Sequence, residues 1–183
     1  LARTSGTSVL VGYAMGGSIA MEASLRAPER VKALILVNSG ARIRVLQKLF
    51  QALDDDFATG VNYIWKNAAG RRADQTVIEK MVDASLMLDR HVVRADFEVI
   101  DRWDALSRVA NIAVPTLVVA GSEDPFTPLR YSEYLAKHIP DAVLQVIEGA
   151  GHIVPLEAPE ELSEKVSSFL ASHGLSAGGA EYK

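Results

Sequence analysis

Two kinds of hydrophobic pattern alternate along this chain of 183 residues. Short, mainly apolar runs, Ser8-Val9-Leu10-Val11 and Val31-Lys32-Ala33-Leu34-Ile35-Leu36-Val37, predict buried strands. Between them Met15, Ile19, Met21, Ala23 and Leu25 recur at helical spacing over residues 14–26, and the pattern stops ahead of Pro28. A strand, a helix and a strand in so short a span form a βαβ unit, which requires a parallel sheet with helices on both faces. From Arg42 to about Ala110 only helical spacing is found. Leu46, Leu49, Phe50 and Leu53 share one face, as do Val61, Ile64 and Trp65, then Val77, Ile78, Met81, Val82 and Leu86, then Val93, Phe97 and Ile100. This region reads as a helical insertion, broken at Ala68-Ala69-Gly70. The α/β rhythm then returns, with strands at 115–120 and 143–147 and helices at 128–138 and 160–172. The expected organisation is a core part over 1–41, the insertion over 42–110, a second core part over 111–173 and a flexible tail over 174–183.

Composition narrows the picture without changing it. A hydrophobic share of 49% with 23% charged residues suits a globular domain able to bury one core. A formal net charge of −4 gives no general attraction to nucleic acid or anionic lipid, so neither is expected as a partner. The chain has no cysteine, which removes disulfides, thiolate nucleophiles and Cys-ligated zinc. No apolar run approaches the roughly 18 residues of a membrane span, and a cytoplasmic location is expected. The sequence starts at Leu1 instead of Met, so an upstream segment is expected and targeting cannot be judged from this end.

The chemistry concentrates in three short stretches. Gly12-Tyr13-Ala14-Met15-Gly16 joins the first strand to the first helix. In so tight a turn, side chains two residues before and after the tip are expected to clash, and Gly17 lets the helix approach the sheet. Gly121-Ser122-Glu123-Asp124-Pro125 follows a later strand, and Gly149-Ala150-Gly151-His152 follows the last one. In this order, each after a strand, the three stretches resemble those of α/β-hydrolases, whose nucleophile elbow reads G-x-S-x-G. The resemblance covers almost the whole chain. It implies the C-terminal portion of an α/β-hydrolase fold: a mostly parallel sheet flanked by helices, with the insertion as a helical cap. It also implies roles: Ala14 at the nucleophile position, Asp124 as the acid, His152 as the base and the Met15 N–H as an oxyanion donor. The implied activity is hydrolysis of a small carboxylic ester, or of a related acyl or carbon–carbon substrate, with no metal or organic cofactor.

Two departures qualify this resemblance. Alanine has no hydroxyl, so no acyl-enzyme can form through residue 14, and the form as written is expected to be inactive. The family's N-terminal strands, and the loop that gives a second oxyanion N–H, are absent. About four strands would leave an exposed edge, so an N-terminal fragment or a second chain is expected to complete the sheet. The oligomeric state is not legible.

Plainer readings compete at each position. Ala14 also fits an ordinary βα turn, or a natural non-catalytic receptor built on the hydrolase fold. Ser18, one helical turn on, is expected to face away from the cleft. Asp124 could be a turn residue before Pro125, Glu123 is the neighbouring acid, and Asn38-Ser39 occupies a place where some relatives hold the acid. His152 could be a buried structural histidine, its Gly-Ala-Gly approach giving a flexible backbone. His91, His138 and His173 read as surface residues, and Arg42, Arg44, Arg71 and Arg72 as solvated charges. Phe57, Tyr63, Trp65, Met81, Met87, Phe97 and Trp103 read as insertion core, some lining a pocket. Gly12-x-Ala14-x-x-Gly17 is one substitution from a dinucleotide fingerprint, but Val37-Asn38-Ser39 lacks the carboxylate that would hold the ribose.

Overall fold

A computed structural model describes residues 6–175. Their four strands, β1 (Ser8–Tyr13), β2 (Val31–Val37), β3 (Thr116–Gly121) and β4 (Ala142–Ile147), form one parallel sheet in the order β1-β2-β3-β4. Helix α1 (Met15–Arg26) connects β1 to β2, and α6 (Leu129–His138) connects β3 to β4. Four helices lie between β2 and β3: α2 (Gln47–Asp55), α3 (Phe57–Ala68), α4 (Gln75–Leu86) and α5 (Arg90–Arg102). After β4 come the short α7 (Val154–Glu157) and the closing α8 (Pro159–Ser172). The expected tail over 174–183 lies, from residue 176 onward, outside the described residues.

The sheet is buried where its strands are uniformly apolar. Leu34 and Leu36 of β2 and Val118 of β3 pack on one face with Met21 of α1, Leu135 of α6 and Ile139. Ile35, Val37, Leu117 and Val119 pack on the other with Ile147 and with Phe169 of α8. Continuous apolar runs are what a parallel strand covered on both faces requires. The first strand departs from expectation. Val11 is 66% exposed, and β1 pairs only with β2 among the described residues, so the strand expected to be buried is a sheet edge.

Local chemistry sets the helix starts in the insertion. Asp56, Asp74 and Asp89 cap α3, α4 and α5, each accepting from a backbone N–H two residues on. The insertion leaves and rejoins the sheet side by side. Arg42 and Asp104 form an antiparallel bridge, and the Ala105 N–H donates to Ala41 O at 2.8 Å.

Candidate active site

Parallel strands bring all their C-terminal ends to one edge of the sheet, which is where side chains from distant parts of the chain can meet. Here those ends supply Ala14 after β1, Asn38 after β2, Asp124 after β3 and His152 after β4.

The turn after β1 is strained. Ala14 has φ 48° and ψ −118°, a conformation that costs a residue with a side chain about 1–3 kcal/mol. The surroundings hold it there. Its N–H donates to Val37 O at 2.9 Å, and its carbonyl accepts from Ser39 Oγ at 2.9 Å and from the Gly17 N–H at 3.0 Å. A Cβ on Gly12 would collide with the backbone of Gly16 and Gly17, and one on Gly17 with the Ser39 side chain. Gly16 differs from expectation: a Cβ there would meet nothing within 4 Å, because its backbone lies at the partly open start of α1.

Asp124 is the most heavily bonded side chain of the group. The Phe126 and Thr127 N–H groups donate to its Oδ1 at 2.8 and 2.9 Å. Thr127 Oγ1 and Asn38 Nδ2 donate to its Oδ2, the latter at 2.7 Å. The same oxygen faces His152 Nδ1 at 2.9 Å. A carboxylate only accepts, so Nδ1 carries the proton and Nε2 is left as the basic nitrogen. Burial opposes ionisation of this carboxyl, but the hydrogen bond and charge of His152, with the Thr127 bonds, outweigh it and hold the pKa at about 2. Its side chain is 0% exposed and that of His152 13%, so the pair is reached only from the ring side. The ring sits between Tyr13, the residue before Ala14, and Phe126, with both centroids 5.3 Å away. Burial first, then the charges of Asp124 and Glu157, push the Tyr13 hydroxyl pKa upward.

Sequence reasoning named Ala14, Asp124 and His152, and the fold gathers the latter two into one hydrogen-bonded pair beside the turn that holds the first. Met15 opens α1, so its N–H belongs to the first turn, where no intrahelical partner exists. Glu123 does not approach His152. It pairs with Arg71 at 2.8 Å instead. Ser18 is 3% exposed, with its hydroxyl buried and unpartnered.

Other expectations need correction. His138 and His173 are half-buried: His138 stacks on Tyr134 at 3.9 Å and His173 lies against Phe169 at 4.4 Å. Arg71 and Arg72 are exposed, as expected of solvated charges, and they also fasten the insertion to the core, through Glu123 and Glu161, each at 2.8 Å. Of the glycines before His152, Gly149 takes up a positive φ of 76°, while Gly151 serves close approach. A Cβ on Gly151 would strike the backbone of Gly70 and Ala68.

Two roles were not foreseen, that of Asn38, noted only for lacking a carboxylate, and that of Glu157. Asn38, buried with φ 46°, bridges Asp124 and the Gly151 carbonyl at 3.2 Å. Its remaining polar atom, Oδ1, has no partner, and turning the amide over would set that oxygen against the carboxylate. Asn38 stands where the dinucleotide reading needs an acid, and its amide is already committed to Asp124. Glu157 is the other. It is only 8% exposed and contacts the His152 loop.

A sequence profile of the alpha/beta hydrolase family matches residues 2–165, so the chain belongs to that family. Its curated relatives include a polyketide synthase, ThaQ, of Burkholderia thailandensis, 32% identical over 96% of this chain and 9% of that protein. Another is a putative carbamate hydrolase, RutD, of Azorhizobium caulinodans, 28% identical over 87% of this chain and 64% of that one. The chain therefore spans less than two thirds of either. Among solved structures, a thermophilic esterase superimposes with a TM-score of 0.86 at 39% identity, over 94% of this chain and 69% of that one. The sheet of four parallel strands flanked by helices is a partial α/β-hydrolase domain. No helix among the described residues is long and apolar enough to cross a membrane.

Proposed function

We propose that this chain is the C-terminal portion of a serine-hydrolase-type enzyme for carboxylic esters or related acyl substrates, disabled at its nucleophile by Ala14. The observation that carries this reading is the buried Asp124–His152 pair, at 2.9 Å, packed on the residue that precedes a strained elbow tip. A tip residue held at φ 48° supports this reading, because an elbow needs that geometry to present a side chain to a cleft. With a hydroxyl at position 14, attack on the ester carbonyl would pass its proton to His152 Nε2, and His152 would then return it to the departing alcohol. Asp124 keeps the ring in the tautomer this requires. The Met15 N–H would face the oxyanion, and one such donor is worth about 2.7–4 kcal/mol.

The helices between β2 and β3 are read as a cap over this pair, within 42–110, with 1–41 and 111–173 as the core that carries it. The exposed edge of β1 is where a further strand, from an N-terminal segment or a second chain, would extend the sheet. One observation favours a second reading. The acid and base are fully built around a residue that cannot react, as in a small-molecule receptor on the same fold.

Restoring the hydroxyl separates the two. In the natural full-length protein, Ala14→Ser should raise hydrolysis of p-nitrophenyl acetate by on the order of 10³-fold or more. His152→Ala or Asp124→Asn in that background should abolish the gain. A protein that stays inert toward esters and lactones after Ala14→Ser would favour the receptor.

A further inference from the structure

Below His152 the insertion and the core meet backbone to backbone. The His152 N–H donates to Ala68 O at 2.6 Å, and the Arg72 N–H donates to Gly149 O at 3.3 Å. Gly70 faces Gly151 so closely that a Cβ on either would strike the other's backbone nitrogen. At this crossing two N–H groups from different parts of the chain converge, and each needs an acceptor. Both find it in one side chain. Glu157, at the end of α7, accepts the Gly70 N–H at Oε1 at 2.5 Å and the Gly151 N–H at Oε2. Only a carboxylate offers two acceptor oxygens in this arrangement. An amide would turn an NH2 donor toward one of the two N–H groups and leave it unsatisfied.

We infer that Glu157 is a positioning residue for His152: its carboxylate clasps the α3–α4 loop to the loop bearing His152, so the seating of the insertion sets the ring against Asp124. Gly151 immediately precedes His152, and the His152 N–H is itself tied to the end of α3, so no slack separates the clasp from the ring. Phe126, which packs edge-on to that ring, belongs to the apolar cluster formed by Ala68, Ile78 and Ile153 across the same junction. Loosening the loop therefore frees the ring on two sides. What His152 does once positioned rests on the function proposed above, but the clasp itself does not.

The test uses proton NMR of the Ala14 chain and kinetics in the Ala14→Ser protein. In folded Glu157→Gln, the Gly70 and Gly151 amide protons should move upfield, and the His152 Nδ1 proton should broaden by exchange with water. In the Ala14→Ser background, Glu157→Gln should lower kcat by on the order of 10²-fold, the scale of an ångström's misplacement, with KM little changed. Gly70→Ala, which pushes the loops apart and leaves Glu157 in place, should broaden the same Nδ1 signal. A folded Glu157→Gln chain with an unchanged Nδ1 signal would overturn the inference. Should that variant not fold, hydrogen exchange in the unsubstituted chain decides. The Gly70 and Gly151 amides must open together, and a Gly70 amide exchanging as freely as an exposed one would refute the clasp. If Ala14→Ser is inert, the catalytic reading fails, while the NMR arm still judges Glu157.

Discussion

Asp124 is a carboxyl that burial should neutralise, kept ionised by its neighbours. Its folded pKa of about 2 lies below the ordinary aspartate value, so it adds stability above the unfolded pKa and loses it as pH falls through the folded one. The size of the shift corresponds to about 2 kcal/mol, fully present above roughly pH 5 and lost progressively toward pH 2. Urea denaturation at intervals between pH 5 and pH 2 should show this acid limb. Asp124→Asn should be less stable at pH 5 and show a flatter decline. Equal declines in both proteins would place the acid sensitivity elsewhere. Ala14 shows the complementary effect on the backbone: neighbours hold a conformation that its methyl group does not favour.

The elements differ widely in how firmly they are held. Strands β2 and β3 are buried almost throughout, whereas α4 buries only Ile78 and α5 only Ile100. Native-state hydrogen exchange should find α4 and α5 amides opening locally, at free energies well below those of β2 and β3, which should exchange only on global unfolding. Uniform protection would contradict this. The same contrast explains what the sequence revealed. Val31–Val37 is legible because an apolar run so long and β-branched has few other uses. The insertion is legible because its helices keep one apolar face each, whereas the starts set by Asp56, Asp74 and Asp89 are not marked by that period. Helix α7 was missed because four residues with an early proline show no period. The roles of Glu157 and Asn38 were missed for a related reason. Each has a partner far along the chain, 87 positions away for Glu157 and 86 for Asn38, and no local pattern marks a side chain that reaches a distant backbone or carboxylate. The elbow, Asp124 and His152 were legible because each follows a strand directly and parallel strands align their ends.

For the whole molecule, the sheet fixes what the chain can do and what it lacks. Both faces are covered over β2 and β3, whereas β1 pairs only with β2 among the described residues and its Val11 lies 66% exposed. The candidate site is assembled within this chain from residues that follow β1 to β4. Asp124 and His152 are hydrogen-bonded beside the strained residue Ala14, and the proposed function reads them as acid, base and nucleophile position. An aryl alkylphosphonate tests this directly, because it reacts only with a hydroxyl activated by a neighbouring base and yields a stable adduct visible in intact mass. The full-length Ala14→Ser protein should gain one phosphonyl group, mapping to position 14, while the unsubstituted protein gains none and His152→Ala suppresses the labelling. Failure of Ala14→Ser to label, or equal labelling of the unsubstituted protein, would contradict the assignment of Ala14 to the nucleophile position.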